Sequence, residues 1–331
     1  MKKSVYNGLL VLITVFVMAG VFETLCRILF KEGMNYHVEM WRYAVELKRI
    51  SKEPKIGHEH IPGTHARLMG VDISINSDGL RNDEVEFLKP PGVTRILMLG
   101  DSITFGWGVA FEETMPKVIE RNLMDHGLGP VEVINSGVGN YNTVMEVNYF
   151  FNQGKAYDPD VIILNYFIND AEPNPTYKAV SWFARHSYSY AVIGGAWDGL
   201  KRRIFDGADW QTYYGLLYAE GSPGWLAAKQ SIAALAEYCR ANNIRLVIAN
   251  IPELRKLKKY PFEDITAKVR EISEFHQVEF VDLLAALQEY PPETLWVTRP
   301  DPHPNGWAQD LMGRSLSNHL LQTGGQNESG E

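Results

Sequence analysis

The stretch Arg95-Ile-Leu-Met-Leu-Gly-Asp-Ser-Ile-Thr-Phe-Gly-Trp-Gly108 decides how the chain folds. Its apolar β-formers run without interruption to Leu99, stop at Gly100-Asp101-Ser102, and give way from about residue 114 to 124 to an amphipathic pattern. That order reads as buried strand, tight turn, helix. Ser102 then stands at the carboxyl end of a buried parallel strand, where open α/β sheets bind ligands. Asp101 and Ser102 also suit a turn and a helix cap, so the serine gains chemical meaning only from what lies downstream.

Working outward, apolar runs at 95–99, 131–134, 161–164, 245–251 and 278–283 alternate with helical patterns at about 113–126, 142–154, 225–241, 261–276 and 305–322. Strands alternating with helices imply a parallel sheet with right-handed crossovers. The expected fold is one three-layer α/β/α domain, 91–322, around a flavodoxin-like five-stranded sheet. Upstream, 33–50 reads as a helix leaving an N-terminal apolar segment. Residues 67–75 read as two short strands around Gly70, and Asn76-Ser-Asp-Gly79 as a turn.

Three further stretches share the carboxyl edge with Ser102. They are Asn135-Ser-Gly-Val-Gly139-Asn140 after the second strand, Asn169-Asp170 after the third, and Asp301-Pro-His303-Pro-Asn305 before the last helix. Taken in this order the four blocks resemble those of the SGNH, or GDSL, hydrolase family, from about Arg95 to the last helix. The resemblance implies a serine esterase with Ser102 as nucleophile, His303 as base and Asp301 as the acid that orients it. It also implies an oxyanion hole made by the backbone N–H of Ser102, the N–H of Gly139, with Gly137 as the alternative, and the side chain of Asn169. A serine hydroxyl needs a base, and the base a third group to fix its tautomer.

Two positions depart from the commonest family pattern. Asp301 lies two residues before His303 rather than three, a spacing shared with related enzymes that act on polysaccharide acetyl groups. Phe167 stands where the family usually has glycine, and is expected to narrow the acyl pocket. The segment 75–83 is similar to one found upstream of the first block in membrane-linked members, so Arg81 is expected to hold an anionic or glycan substrate, with an ion pair to Asp83 as the alternative. Asp101 and Asp170 complete the expected substrate-binding set.

Composition narrows the partners. The 331 residues carry a net charge of -8, which offers no basic stripe for nucleic acid. Cys26 and Cys239 are too few and too differently situated to suggest a disulfide. His58-Glu-His60 with His65 offers imidazoles, yet no carboxylate or cysteine completes a recognisable ligand spacing. No metal or other cofactor is expected. The glycine spacing of a dinucleotide site, the lysine of a P-loop and the G-x-S-x-G of an α/β-hydrolase are all missing from these blocks.

Residues 4–22 carry no charge and follow Lys2 and Lys3. A bilayer span needs about 20 such residues. We expect 1–32 to be an uncleaved single-pass anchor in the inner membrane, with the catalytic domain periplasmic; the alternative is a signal peptide cleaved near Val17-Met-Ala19. Residues 33–90 are expected to link the anchor to the hydrolase domain, and the polar 323–331 to be a disordered tail. The insertion 171–224 carries Trp182, Phe183, Tyr188, Tyr190, Trp197, Phe205, Trp210, Tyr213, Tyr214 and Tyr218. It is expected to overhang the site as a sugar-stacking platform, an acyl pocket or a membrane-facing lid, or else to form a small helical core of its own. The expected substrate is an acylated, foremost O-acetylated, extracytoplasmic glycan. Open alternatives are an acyltransferase on the same triad, a lipid or lysophospholipid esterase, and a non-catalytic glycan-binding subunit.

Overall fold

A computed structural model describes residues 2–30, 35–175, 181–204, 210–299 and 301–324; Phe205 and residues 325–331 of the expected tail lie outside these. Helix α1 (Lys2–Phe30) is exposed from Val5 onward except at Glu23, Cys26 and Phe30 in its last turns. By length and composition its Val5–Phe30 part can cross a membrane or serve as a signal sequence. The Asn35 side chain caps α2 (Tyr36–Arg42) by accepting the Val38 N–H. A π-helical turn, Tyr43–Leu47, follows. The helix expected through residue 50 ends there, because β1 (Lys48–Ile50) pairs antiparallel with β2 (His58–His60), a long-range contact that local pattern does not carry. The expected hairpin around Gly70 is present as β3 (His65–Leu68) and β4 (Val71–Ser74).

Next come β5 (Thr94–Leu99), α3 (Ser102–Phe105), α4 (Met115–Asp125), β6 (Val131–Asn135), α5 (Thr143–Asn152) and β7 (Val161–Tyr166). The insertion contributes α6 (Trp182–His186), α7 (Tyr188–Ile204) and α8 (Trp210–Leu217), and α9 (Pro223–Ala241) returns to the domain. The chain finishes through β8 (Arg245–Asn250), α10 (Glu263–Phe275), β9 (Glu279–Asp282), α11 (Leu284–Leu287), β10 (Trp296–Thr298), β11 (Asp301–Pro304) and α12 (Gly306–Gly324).

The central sheet runs β6-β5-β7-β8-β9 with every pair parallel. This is the expected three-layer α/β/α fold. The chain steps from β5 outward to β6 and then back across to β7, so the order reverses beside the carboxyl end of β5. Side chains alternate between the faces: Leu97 and Leu99 join one core layer with Phe150, Ile232 and Val269, and Ile96 and Met98 join the other with Ile119, Met312 and Leu316. Truncating any of these to alanine costs about 2–5 kcal/mol.

The insertion divides in two. Its C-terminal half belongs to the core: Tyr218 is buried, shares a 2.7 Å hydrogen bond with the Tyr166 hydroxyl and donates to the Ile168 carbonyl, and Trp210 and Tyr214 pack on Phe262. In the N-terminal half Trp182, Phe183, Tyr190 and Trp197 remain exposed.

Candidate active site

The turn after β5 is built around close approaches. A Cβ on Gly100 would stand 2.0 Å from Thr104 Oγ1, so only glycine lets α3 fold back this tightly. The Asp101 carboxylate caps α3 by accepting the Ile103 N–H at 2.8 Å. Helix α3 ends at Gly106 in the left-handed region, φ 81°. From α12, the Gln309 amide donates to the Ile103 carbonyl at 2.9 Å and accepts the Met115 N–H at 2.8 Å, which locks the turn to two helices.

His303 and Asp301 sit on the β10–β11 hairpin rather than on a simple turn. The Asn305 amide braces it by donating to the Thr294 and Trp296 carbonyls, and its oxygen caps α12 through the Ala308 N–H. Ser102 Oγ lies 2.9 Å from His303 Nε2, and His303 Nδ1 lies 2.5 Å from Asp301 Oδ1. The two-residue spacing brings that same oxygen within 3.2 Å of the His303 main-chain N–H as well. Trp107 Nε1 donates to the other oxygen at 2.8 Å. Burial alone would raise the Asp301 carboxyl, but the hydrogen bonds and charge of His303 and the Trp107 indole outweigh it and hold the carboxyl below its ordinary value.

Several expected site residues take other positions. The Gly139 N–H donates to the Tyr43 hydroxyl at 2.9 Å, so it is not an open oxyanion donor. Asn140 follows with φ 69°, lines a cleft, and its N–H has no protein acceptor among the described residues. Asn169 is half-buried and donates to Asp101 Oδ2 at 3.3 Å. Asp101 is thereby buried as a cap and a brace for Asn169, not a substrate contact. Asp170 is also fully buried: it accepts the Phe167 N–H at 2.8 Å, and burial followed by the charge of Asp101 pushes its carboxyl well above the usual range.

Arg81 neither holds substrate nor pairs with Asp83. It is buried and donates to the carbonyls of Phe105, Gly106 and Val109, clamping the loop that leaves α3. Phe167 is half-buried and packs against both core layers.

The sequence of the GDSL-like lipase/acylhydrolase family matches residues 98–311. The chain belongs to this family. It is accordingly a serine ester hydrolase of GDSL type. No curated protein sequence matches the chain. Among solved structures it is similar to an acetylxylan esterase from Geobacillus stearothermophilus (TM-score 0.46, 16% identity, 69% of this chain and 94% of that chain). It is also similar to a lipase/acylhydrolase from Enterococcus faecalis (TM-score 0.44, 14% identity, 69% and 95%) and to a psychrotrophic esterase from Pseudoalteromonas sp. (TM-score 0.43, 15% identity, 69% and 97%).

In this GDSL-type hydrolase a cleft of about 620 Å³ opens beside Asn140 and Asn169; Ser102 and His303 are not among the residues lining it. Lys48, His58, Glu172 and Arg185 line the cleft with Ile50, Pro173 and Pro175. The exposed aromatics Trp182, Phe183, Tyr190 and Trp197 are not among the residues lining this cleft.

The segment upstream of the family match grips the Gly139–Asn140 peptide. Lys48 Nζ lies 3.1 Å and His58 Nε2 2.8 Å from the Gly139 carbonyl oxygen, and Lys48 Nζ is 3.4 Å from Asn140 Oδ1. Tyr43 accepts the Gly139 N–H and lies 2.7 Å from His60 Nε2; His60 Nδ1 lies 3.1 Å from the Gly79 carbonyl. Burial pushes both imidazoles down to about 3 and the Lys48 ammonium down to about 7. With His58 neutral, the network assigns its proton to Nε2. The His-x-His spacing was the visible trace of this grip. Lys48 and Tyr43 left none, because 33–50 reads as plain helix, and Trp107 lay unremarked between two glycines of the first block.

Proposed function

We propose that this hydrolase removes short acyl groups, acetyl foremost, from hydroxyl-rich glycan carriers outside the cytoplasm through a Ser102–His303–Asp301 relay. The observation that carries the reading is the continuous hydrogen-bonded line from Ser102 Oγ through both nitrogens of His303 to Asp301. His303 Nε2 takes the Ser102 proton as Oγ attacks the ester carbonyl, and Asp301, ionised, stabilises the imidazolium. The leaving alcohol takes that proton from His303. Water, deprotonated by the same nitrogen, then releases the acid and restores the serine.

The oxyanion is received by the N–H groups of Ser102 and Asn140 and by Asn169 Nδ2. Asn140 replaces the expected Gly139 because Lys48 and His58 hold the Gly139 carbonyl: in a planar trans peptide the Asn140 N–H points the opposite way. The relay needs no cofactor. A cleft that mixes Lys48, Glu172 and Arg185 with Ile50, Pro173 and Pro175 suits a sugar, which presents hydroxyls at its edge and C–H groups on its faces. Helix α1, uncharged over residues 4–22, serves as the membrane anchor in this reading.

The test is a series of aryl esters from acetyl to octanoyl, followed by acetate release from O-acetylated oligosaccharides, with the full-length protein in detergent. The expected result is a steep fall beyond butyryl and measurable acetate. Rates that rise to octanoyl without acetate release would replace this reading with a lipid esterase. Transfer of the acetyl group to added sugar in preference to water would make the enzyme an acyltransferase.

A further inference from the structure

Helix α7 has two unlike faces. On one, Ala191 is buried and Gly195 meets α2, where a Cβ on Gly195 would stand 2.6 Å from His37 Cβ. On the opposite face Tyr190, Ile193 and Trp197, at spacings of three and four, are 49%, 58% and 55% exposed. Trp182 and Phe183 on neighbouring α6 are more exposed still.

The α6–α7 corner is fastened to the end of α1. The Glu23 carboxylate accepts the N–H groups of Tyr188 and Ser189 at 3.0 and 2.9 Å and the hydroxyls of Ser187 and Ser189 at 2.8 and 2.7 Å, and so caps α7. Arg27, one turn on, pairs with Glu23 at 2.7 Å, donates to the His186 carbonyl and lies 5.2 Å from the centroid of the Tyr188 ring. Trp41 of α2 donates to the Ala184 carbonyl at 2.8 Å.

These contacts set a depth. The uncharged run ends at Phe22, and about 20 helical residues at 1.5 Å each span about 30 Å, the thickness of a bilayer's hydrocarbon. Glu23 and Arg27 then lie at its edge, where an ion pair meets water at little cost. Helix α6 ends and α7 begins at that level, in the zone where Trp and Tyr are enriched.

We propose that the face formed by Trp182, Phe183, Tyr190, Ile193 and Trp197 lies in the interfacial layer of the bilayer that α1 crosses, and holds the cleft beside Asn140 and Asn169 at the membrane surface. The proposal rests on the reading of α1 as a membrane span. The same elements reach the chemistry: Arg185 of α6 lines the cleft, and the Tyr36 ring of α2 lies 6.3 Å from that of His303. Acyl esters borne close to the membrane surface are the substrates this arrangement admits.

Cys26 and Cys239 are buried, so a single introduced cysteine can be labelled in the full-length protein. Ile193→Cys, Trp182→Cys, Leu12→Cys in α1 and Phe275→Cys on exposed α10 each receive an environment-sensitive fluorophore. Each is first checked for unchanged hydrolysis of a soluble aryl acetate. In nanodiscs of phosphatidylcholine and phosphatidylglycerol, positions 193 and 182 should be quenched about twofold by lipids spin-labelled near the headgroup, position 12 by lipids labelled deep in the chain, and position 275 by neither. If 193 and 182 behave like 275 while 12 is quenched, the proposal fails and the membrane span stands. If 12 is also unquenched, the span reading fails and takes the proposal with it. A blue shift at 193 that follows protein concentration and ignores the quencher would assign the face to a second copy of the chain and overturn the proposal.

Discussion

Lys48 directs its ammonium at the Gly139 carbonyl oxygen, 3.1 Å away, from a strand that lies outside the part of the chain matched to the hydrolase family. A cation on the carbonyl side of a peptide strengthens the partial positive charge on its N–H side, here the N–H of Asn140. Below about pH 7, where Lys48 is charged, Lys48→Met should therefore lower kcat by about tenfold to a hundredfold with KM little changed, and the difference should shrink as pH rises and Lys48 loses its proton. Stability should move the other way. Burial lowers the folded-state value of Lys48 to about 7, so the burial cost is fully present below pH 7 and fades as pH rises toward the unfolded value. The Tm gain of Lys48→Met, measured by calorimetry, should be largest near pH 6 and shrink steadily by pH 10.

Asn140 and Asn169 should respond differently to substitution. Asn140 offers its main chain from a left-handed conformation that glycine adopts freely, so Asn140→Gly should keep kcat within about threefold. Asn169→Ala removes a side-chain donor outright and should lower kcat by about 10²–10³. Steady-state kinetics on one acetyl ester separates the two. A collapse of activity in Asn140→Gly would mean that the Asn140 side chain does the work assigned to its N–H.

Arg81 is a structural clamp, and its variants should show it. Arg81→Ala leaves three carbonyls without their charged donor and should cost about 3 kcal/mol or more in denaturant unfolding. Arg81→Lys should recover only part of this, because a point charge does not span three acceptors as a planar guanidinium does. In both variants KM for neutral and anionic esters should change in parallel. A selective rise for anionic esters would restore the substrate-binding role first read from the sequence.

The fold was legible because its signals are local. Unbroken apolar runs such as Ile96 to Leu99 and the helical periods between them carry their own period, and the five strands of the central sheet and the five helices read between them fell close to their expected bounds, whereas the β1–β2 and β10–β11 pairs did not show. Ser102, His303 and Asp301 stood out because each lies within a block of characteristic residues, and they are hydrogen-bonded to one another in the fold. Orientation was not legible. Whether the Gly139 N–H is free depends on Tyr43, almost a hundred residues upstream, and the identity of Arg81 or Asp170 does not say whether the side chain faces a substrate or is buried. The exposed aromatics of the insertion looked like a roof for the site until its packing showed which half joins the core.

The central claim is that Ser102 is the nucleophile. Full-length protein treated with a fluorophosphonate should gain one adduct by intact mass, and peptide mapping should assign it to Ser102. Ser102→Ala should abolish both the adduct and hydrolysis of aryl acetate, while Asp301→Asn should slow labelling by about 10³–10⁴ without moving its site. An adduct on a different serine, or full ester hydrolysis by Ser102→Ala, would contradict the account.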